Sequence, residues 1–131
     1  MKKIVIVGSA SLQDKIQLWK KFLEDDGFEI LDYSHPIAED VFIEEYPTVH
    51  KSFLNNIENA DVVFVMNEDK KGVVGYVGAE SYAEMAFAVA QNLLHKKNIE
   101  VILLQMPDKS VQSYDEVVLW LKLGWIKLFN K

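Results

Sequence analysis

The 131-residue chain is half hydrophobic and 26% charged, carries a formal net charge of −6 and has no cysteine. Its length suffices for one domain with its own core. The acid excess argues against holding a nucleic-acid polymer through phosphate contacts, and the missing cysteine excludes disulfides, thiolate nucleophiles and Cys-ligated metals.

In chain order, residues 2–8 (KKIVIVG) form a short β-branched run ended by glycine, as a parallel strand buried on both faces requires. Ser11 then fits a helix N-cap, with Leu12, Ile16, Trp19 and Leu23 at helical spacing and Gly27 as the stop. Residues 28–33 (FEILDY) read as a second strand. After a turn containing Pro36, residues 39–46 suit a short acidic helix that Pro47 interrupts or restarts, and Val49, Phe53 and Ile57 mark a second amphipathic helix ending near Asn59. Asp61 is a turn residue before the strand 62–66. The polar, glycine-rich stretch 67–78 leads into a helix over 79–95, a fourth strand follows at 98–104, a loop at 105–113, a helix over 114–123 stopped by Gly124, and a short edge strand at 125–129.

Strands alternating with helices predict a three-layer α/β sandwich around a mostly parallel sheet of four to five strands. In such sheets ligands sit outside the carboxyl ends of the strands, where strand order reverses. The loops 8–11, 67–78 and 105–108 are expected to meet there, with the start of the 79–95 helix beside them.

That helix holds the most informative residue. Residues 81–90 (SYAEMAFAVA) are almost wholly apolar apart from Glu84, and a Glu on a mostly buried helix is paired or working. Glu84 therefore reads as a nucleophile or base, against the alternative of a salt bridge or interface contact. Glu80, one turn earlier on the same face, suits either a paired-carboxylate site or simple stabilisation of the helix start. Gly8, Ser9 and Ser11 can offer amides and hydroxyls to sugar or phosphate, or merely turn the chain. Gly72, Gly75 and Gly78 suit a mobile loop closing over substrate or only a tight backbone path. Asn67 and Asp69 stand at a strand end where sugar hydroxyls would be contacted. Tyr76, Tyr82, Trp120 and Trp125 can stack on a base or pack in the core. His35, His50 and His95 lack ligand spacing and read as surface or loop residues, so no metal and no cofactor are expected. No apolar run reaches secretory or membrane-spanning length, which predicts a cytoplasmic protein with no membrane partner. The unusually apolar 79–95 helix suggests a homodimer.

Taken in order over residues 2–108, KKIVIVGSA, NADVVFVMNED, a glycine-containing loop, YAEMAFAVAQ and a strand followed by MPD resemble the nucleoside 2-deoxyribosyltransferase-like superfamily. That group includes deoxyribosyltransferases and deoxynucleoside-monophosphate N-glycosidases. The resemblance implies a flavodoxin-like fold, cleavage of the bond between a sugar C1′ and a base, and a nucleophilic glutamate at Glu84 whose glycosyl-enzyme intermediate is resolved by water or a second base. It departs from the transferases at Ile6, where they carry a tyrosine, and at Gly78, where they carry an aspartate. The turn after the first strand matches the N-glycosidase phosphate loop only at Gly8 and Ser9. The expectation is an enzyme acting on the N-glycosidic bond of a nucleoside or nucleotide, with Asp69 and Asn67 assisting Glu84. The alternatives are a non-catalytic nucleotide-binding or regulatory module, and a small assembly protein.

Overall fold

Two of the apolar runs, β1 (Lys3–Val7) and β3 (Val62–Val65), lie side by side at the centre of one sheet in the computed structural model, which describes residues 1–130. Around them run α1 (Gln13–Asp25), β2 (Glu29–Tyr33), a 3₁₀ turn (Glu39–Val41), α2 (Phe42–Glu58), α3 (Ala79–His95), β4 (Glu100–Leu103), α4 (Tyr114–Leu123) and β5 (Lys127–Leu128). The strand order is β2-β1-β3-β4-β5, and every neighbouring pair is parallel. This is the flavodoxin-like order, whose switch point lies between β1 and β3.

Alternation along each strand decides which layer a side chain joins. Val5, Val7, Val63, Val65, Val101 and Leu103 point to one face, where Phe53 and Ile57 of α2, Met85 and Val89 of α3 and Val117 of α4 pack on them. Ile4, Ile6, Val62 and Phe64 point to the other, against Ile16, Trp19 and Leu23 of α1. There Trp19 sits between Phe64 and Phe129, with ring centroids 5.1 and 5.6 Å away. Trp19 also donates to Glu68 Oε2 at 2.8 Å, which fixes α1 to the segment following β3.

Two expected features differ. Ser11 is not the cap of α1: the helix starts at Gln13 with Leu12 in the cap position and no side-chain cap bond. A turn closed by the Leu12 N–H on Ser9 O (2.9 Å) precedes it, and the Ser11 hydroxyl meets that of Ser9 at 3.0 Å. Pro47 does not divide residues 39–58 into two helices either, because it lies inside the continuous α2. The proline lacks the N–H that would reach the carbonyl of Ile43, and Ile43 is 81% exposed, so water can serve that carbonyl instead.

Candidate functional site: an acid-lined cleft between α2 and α3

The backbone turns into α3 at Gly78, an extended residue whose added Cβ would stand 3.2 Å from the Tyr76 ring. Glu80 lies exposed in the first turn of the helix. Glu84 lies one turn deeper on the same face, where only 4% of it is accessible and its Oε1 has no hydrogen-bond partner among the described residues. Burial pushes its carboxyl up to about 8, helped by the neighbouring charges of Glu80 and Asp32. At neutral pH Glu84 is therefore mostly a neutral acid.

The cleft beside it has a volume of about 170 Å³. Its far wall is one face of α2, where Phe42, Tyr46 and His50 recur at intervals of four residues and stack into a column, with centroids 5.2 and 5.1 Å apart. The Tyr46 hydroxyl meets His50 Nδ1 at 3.4 Å, and its own pKa is raised by burial and by Glu80. The segment leaving β2 closes the cleft with Ser34, His35, Pro36 and Ile37. Asp32, just before it, accepts from the Tyr33 N–H (2.8 Å) and from His35 Nε2 (3.2 Å) on Oδ1, and from Asn56 Nδ2 (2.9 Å) on Oδ2.

The other residues singled out from sequence form a second cluster above the ends of β1, β3 and β4. The Asn67 side chain, 2% exposed, donates to Gly75 O (3.2 Å) and Gln105 O (2.8 Å) and accepts from the Gln105 N–H (3.2 Å). Asp69 Oδ1 accepts from the Gly75 N–H (3.0 Å) and from Gln105 Nε2 (3.1 Å). Gly75 has φ +63° and lies so close to Met106 and Pro107 that an added Cβ would be 2.6 Å from Met106 O. The 67–78 and 105–108 loops are thus stapled to each other rather than left open. Lys70 Nζ donates to Ser9 Oγ at 2.6 Å and lies 5.2 Å from the centroid of the Tyr76 ring, which brings the 8–11 turn to the same cluster. The three expected loops do meet, yet Asp69, Asn67, Ser9, Ser11, Gly75 and Gly78 do not line the cleft of Glu84. Only the 8–11 turn adjoins it: Ala10 contributes to its wall, and the Gly8 N–H donates to Ser34 Oγ at 3.2 Å.

No family model and no curated protein matches the chain. Among the described residues there is no group of three or more His, Asp or Glu placed to hold a metal ion, and no helix is long and apolar enough to cross a membrane. The aromatics Tyr82 and Trp120 stack on one another at 5.5 Å and pack against the core.

Sequence reasoning missed Asp32, His35, Tyr46 and His50. Asp32 and His35 flank the carboxyl end of β2, where the strand-end rule applies as much as it does to β1 and β3. Phe42, Tyr46 and His50 share a helical face that is visible only once Pro47 is allowed inside the helix. A buried carboxyl with a raised pKa, sharing its cleft with Glu80, can exchange a proton and, once ionised, attack an electrophilic carbon. The negative field that Glu80 and Asp32 exert on Glu84 also favours any positive charge that develops beside it.

Proposed function

We propose that the chain cleaves or transfers the N-glycosidic bond of a nucleoside or nucleotide in the cleft between α2 and α3. The observation that supports this most is the buried, unpartnered Oε1 of Glu84 in a cleft that Glu80 also lines. An ionised Glu84 attacks C1′ and the base leaves, giving a glycosyl-enzyme that water or an incoming base resolves. Such displacements pass through an oxocarbenium-like transition state, so the acids that disfavour the ionised Glu84 in the free protein favour the reacting cation.

The enclosed volume of about 170 Å³ lies below the roughly 300 Å³ at which whole-ligand pockets begin. It suits a sugar, with the base extending past the Phe42–Tyr46–His50 column. Ser9, Ser11 and Lys70 on the adjoining turn and loop offer hydroxyls and a cation to a sugar oxygen or a phosphate. Asn67 and Asp69 serve here as loop staples rather than as acid–base partners. A homodimer remains part of this proposal, supported by Leu94, 75% exposed on the last turn of α3.

One observation favours a second reading, a non-catalytic nucleotide-binding module: the Asp69 carboxylate is engaged by Gly75 and Gln105 and stands outside the cleft. Product analysis separates the two. The protein is incubated with a panel of deoxynucleosides and their monophosphates, with and without a free acceptor base, alongside Glu84→Gln. Base release or exchange by the wild type and not by the variant is expected; saturable binding without turnover would favour the binding module.

A further inference from the structure

We propose that His35 is the catalytic acid that protonates the departing base, and that Asp32 is its positioning residue. The assignment rests on the glycosidic reading above and supplies the group it lacks. Glu84 cannot attack C1′ and protonate the leaving base in the same step, so a second group in the cleft has to carry the proton.

The cleft offers Glu80, Tyr46, His50 and His35. Glu80 lies at the exposed start of α3. Tyr46 is a poor donor, because burial and the Glu80 charge raise its pKa further. His50 already has its Nδ1 against the Tyr46 hydroxyl. His35 alone is oriented by a carboxylate: its Nε2 lies 3.2 Å from Asp32 Oδ1. A carboxylate only accepts, so Nε2 carries the hydrogen and Nδ1 is the nitrogen left for substrate. Asp32 is itself fixed by the Tyr33 N–H and by Asn56 of α2, and the Tyr33 ring lies against the imidazole at 4.1 Å. A histidine held by a carboxylate that is held in turn is the arrangement by which acid–base groups are kept in one tautomer and orientation. The His35 side chain is 47% exposed, so it can exchange its proton with solvent between turnovers. His35 and Glu84 both line the cleft, which places donor and nucleophile around one space.

In the first half-reaction an oxygen of Glu84 forms a bond to C1′ while the C1′–N bond breaks. Its electron pair stays on the base, and the proton on Nδ1 of the His35 imidazolium moves to a base nitrogen, leaving His35 neutral. In the second half, Nδ1 takes a proton from the attacking water or from the N–H of an incoming base. The new bond to C1′ forms as the bond to Glu84 breaks, its electron pair returns to the carboxylate, and the imidazolium is restored.

A general acid matters only for a leaving group that needs a proton, and that decides the test. Wild type, His35→Gln, His35→Ala and Asp32→Asn are compared on natural deoxynucleosides and on 4-nitrophenyl 2-deoxyribofuranoside, whose phenolate departs unprotonated. On the natural bases His35→Gln is expected to lose about 100-fold or more in kcat/KM, and on the nitrophenyl substrate less than about fivefold. Asp32→Asn follows the same substrate pattern with a smaller loss, and added imidazole restores part of the His35→Ala rate. Should His35→Ala not fold, His35→Gln carries the comparison. Equal losses on both substrates, or none, would overturn the assignment while Glu84-dependent turnover left the glycosidic reading standing. No turnover of either substrate by the wild type would overturn both.

Discussion

Glu84 lies one turn beyond Glu80 on α3, and the two carboxyls line one cleft, the deeper 4% accessible and the shallower exposed at the rim. Burial, helped by the charge of Glu80, raises the Glu84 pKa to about 8. The folded state then binds one more proton than the unfolded state between the ordinary Glu value and about 8. Across that window stability falls as pH rises. Glu84→Gln keeps the shape and removes the charge, so it is expected to flatten this slope and to exceed the wild type in stability at about pH 9, by on the order of a few kcal/mol. Urea unfolding at about pH 5 and pH 9 reads the difference; identical slopes for both proteins would mean that Glu84 ionises freely in the folded state.

The glycines of the 67–78 loop divide sharply. Gly72 has φ +79° with nothing within 4 Å of an added Cβ, whereas Gly75 combines φ +63° with a Cβ position 2.6 Å from Met106 O. Gly72→Ala meets only the backbone penalty of about 1–2 kcal/mol, while Gly75→Ala must also part the 67–78 and 105–108 loops and is expected to cost at least about 2 kcal/mol more. Thermal unfolding of the two variants checks the order.

Asn67 is the staple beneath both loops. Replacing it with Ala leaves the Gln105 N–H and the Gly75 carbonyl without their side-chain partner in a buried setting. A loss of about 2–4 kcal/mol is expected, since each stranded buried group costs about 1–3 kcal/mol. Asp69→Asn, at an exposed acceptor, is expected to cost under about 1 kcal/mol, and the contrast is measured by urea titration.

Much of this was legible in the residues, for physical reasons that differ by element. The runs IVIV and VVFV are apolar at every position because β1 and β3 are covered on both faces, so period and burial agree. The 79–95 helix reads cleanly because the glycines before it, its apolar face and its one interior acid all fall where the fold needs them. Pro47 misled because a proline near a helix start can be hydrated rather than obeyed as a break, and losing α2 hid its aromatic column. Asp69 shows what a strand-end carboxylate leaves open: it suggests chemistry in sequence, and in the fold the amides of Gly75 and Gln105 bond to it. Asp32 and His35 are two ordinary polar residues in sequence, and only the fold brings His35, held by Asp32, into the cleft of Glu84.

Under the proposed function, the α2 column borders the space into which the base extends. Phe42, 40% exposed at the end of that column, is the residue whose removal tests this contact with least harm to the core. Phe42→Ala is expected to raise KM by about five- to 100-fold, the roughly 1–3 kcal/mol of one base–aromatic stack, with a smaller change in kcat. Steady-state kinetics on the best substrate of the panel measure it.

The most direct measurement is the mass of the protein caught during turnover. Acid quenching within the first turnovers, followed by intact-mass and peptide analysis, is predicted to show one added deoxyribosyl or phosphodeoxyribosyl group on the peptide carrying Glu84. The adduct is predicted to be absent in Glu84→Gln. Base release with no adduct on Glu84, or with one on another residue, would contradict the role given to this carboxylate.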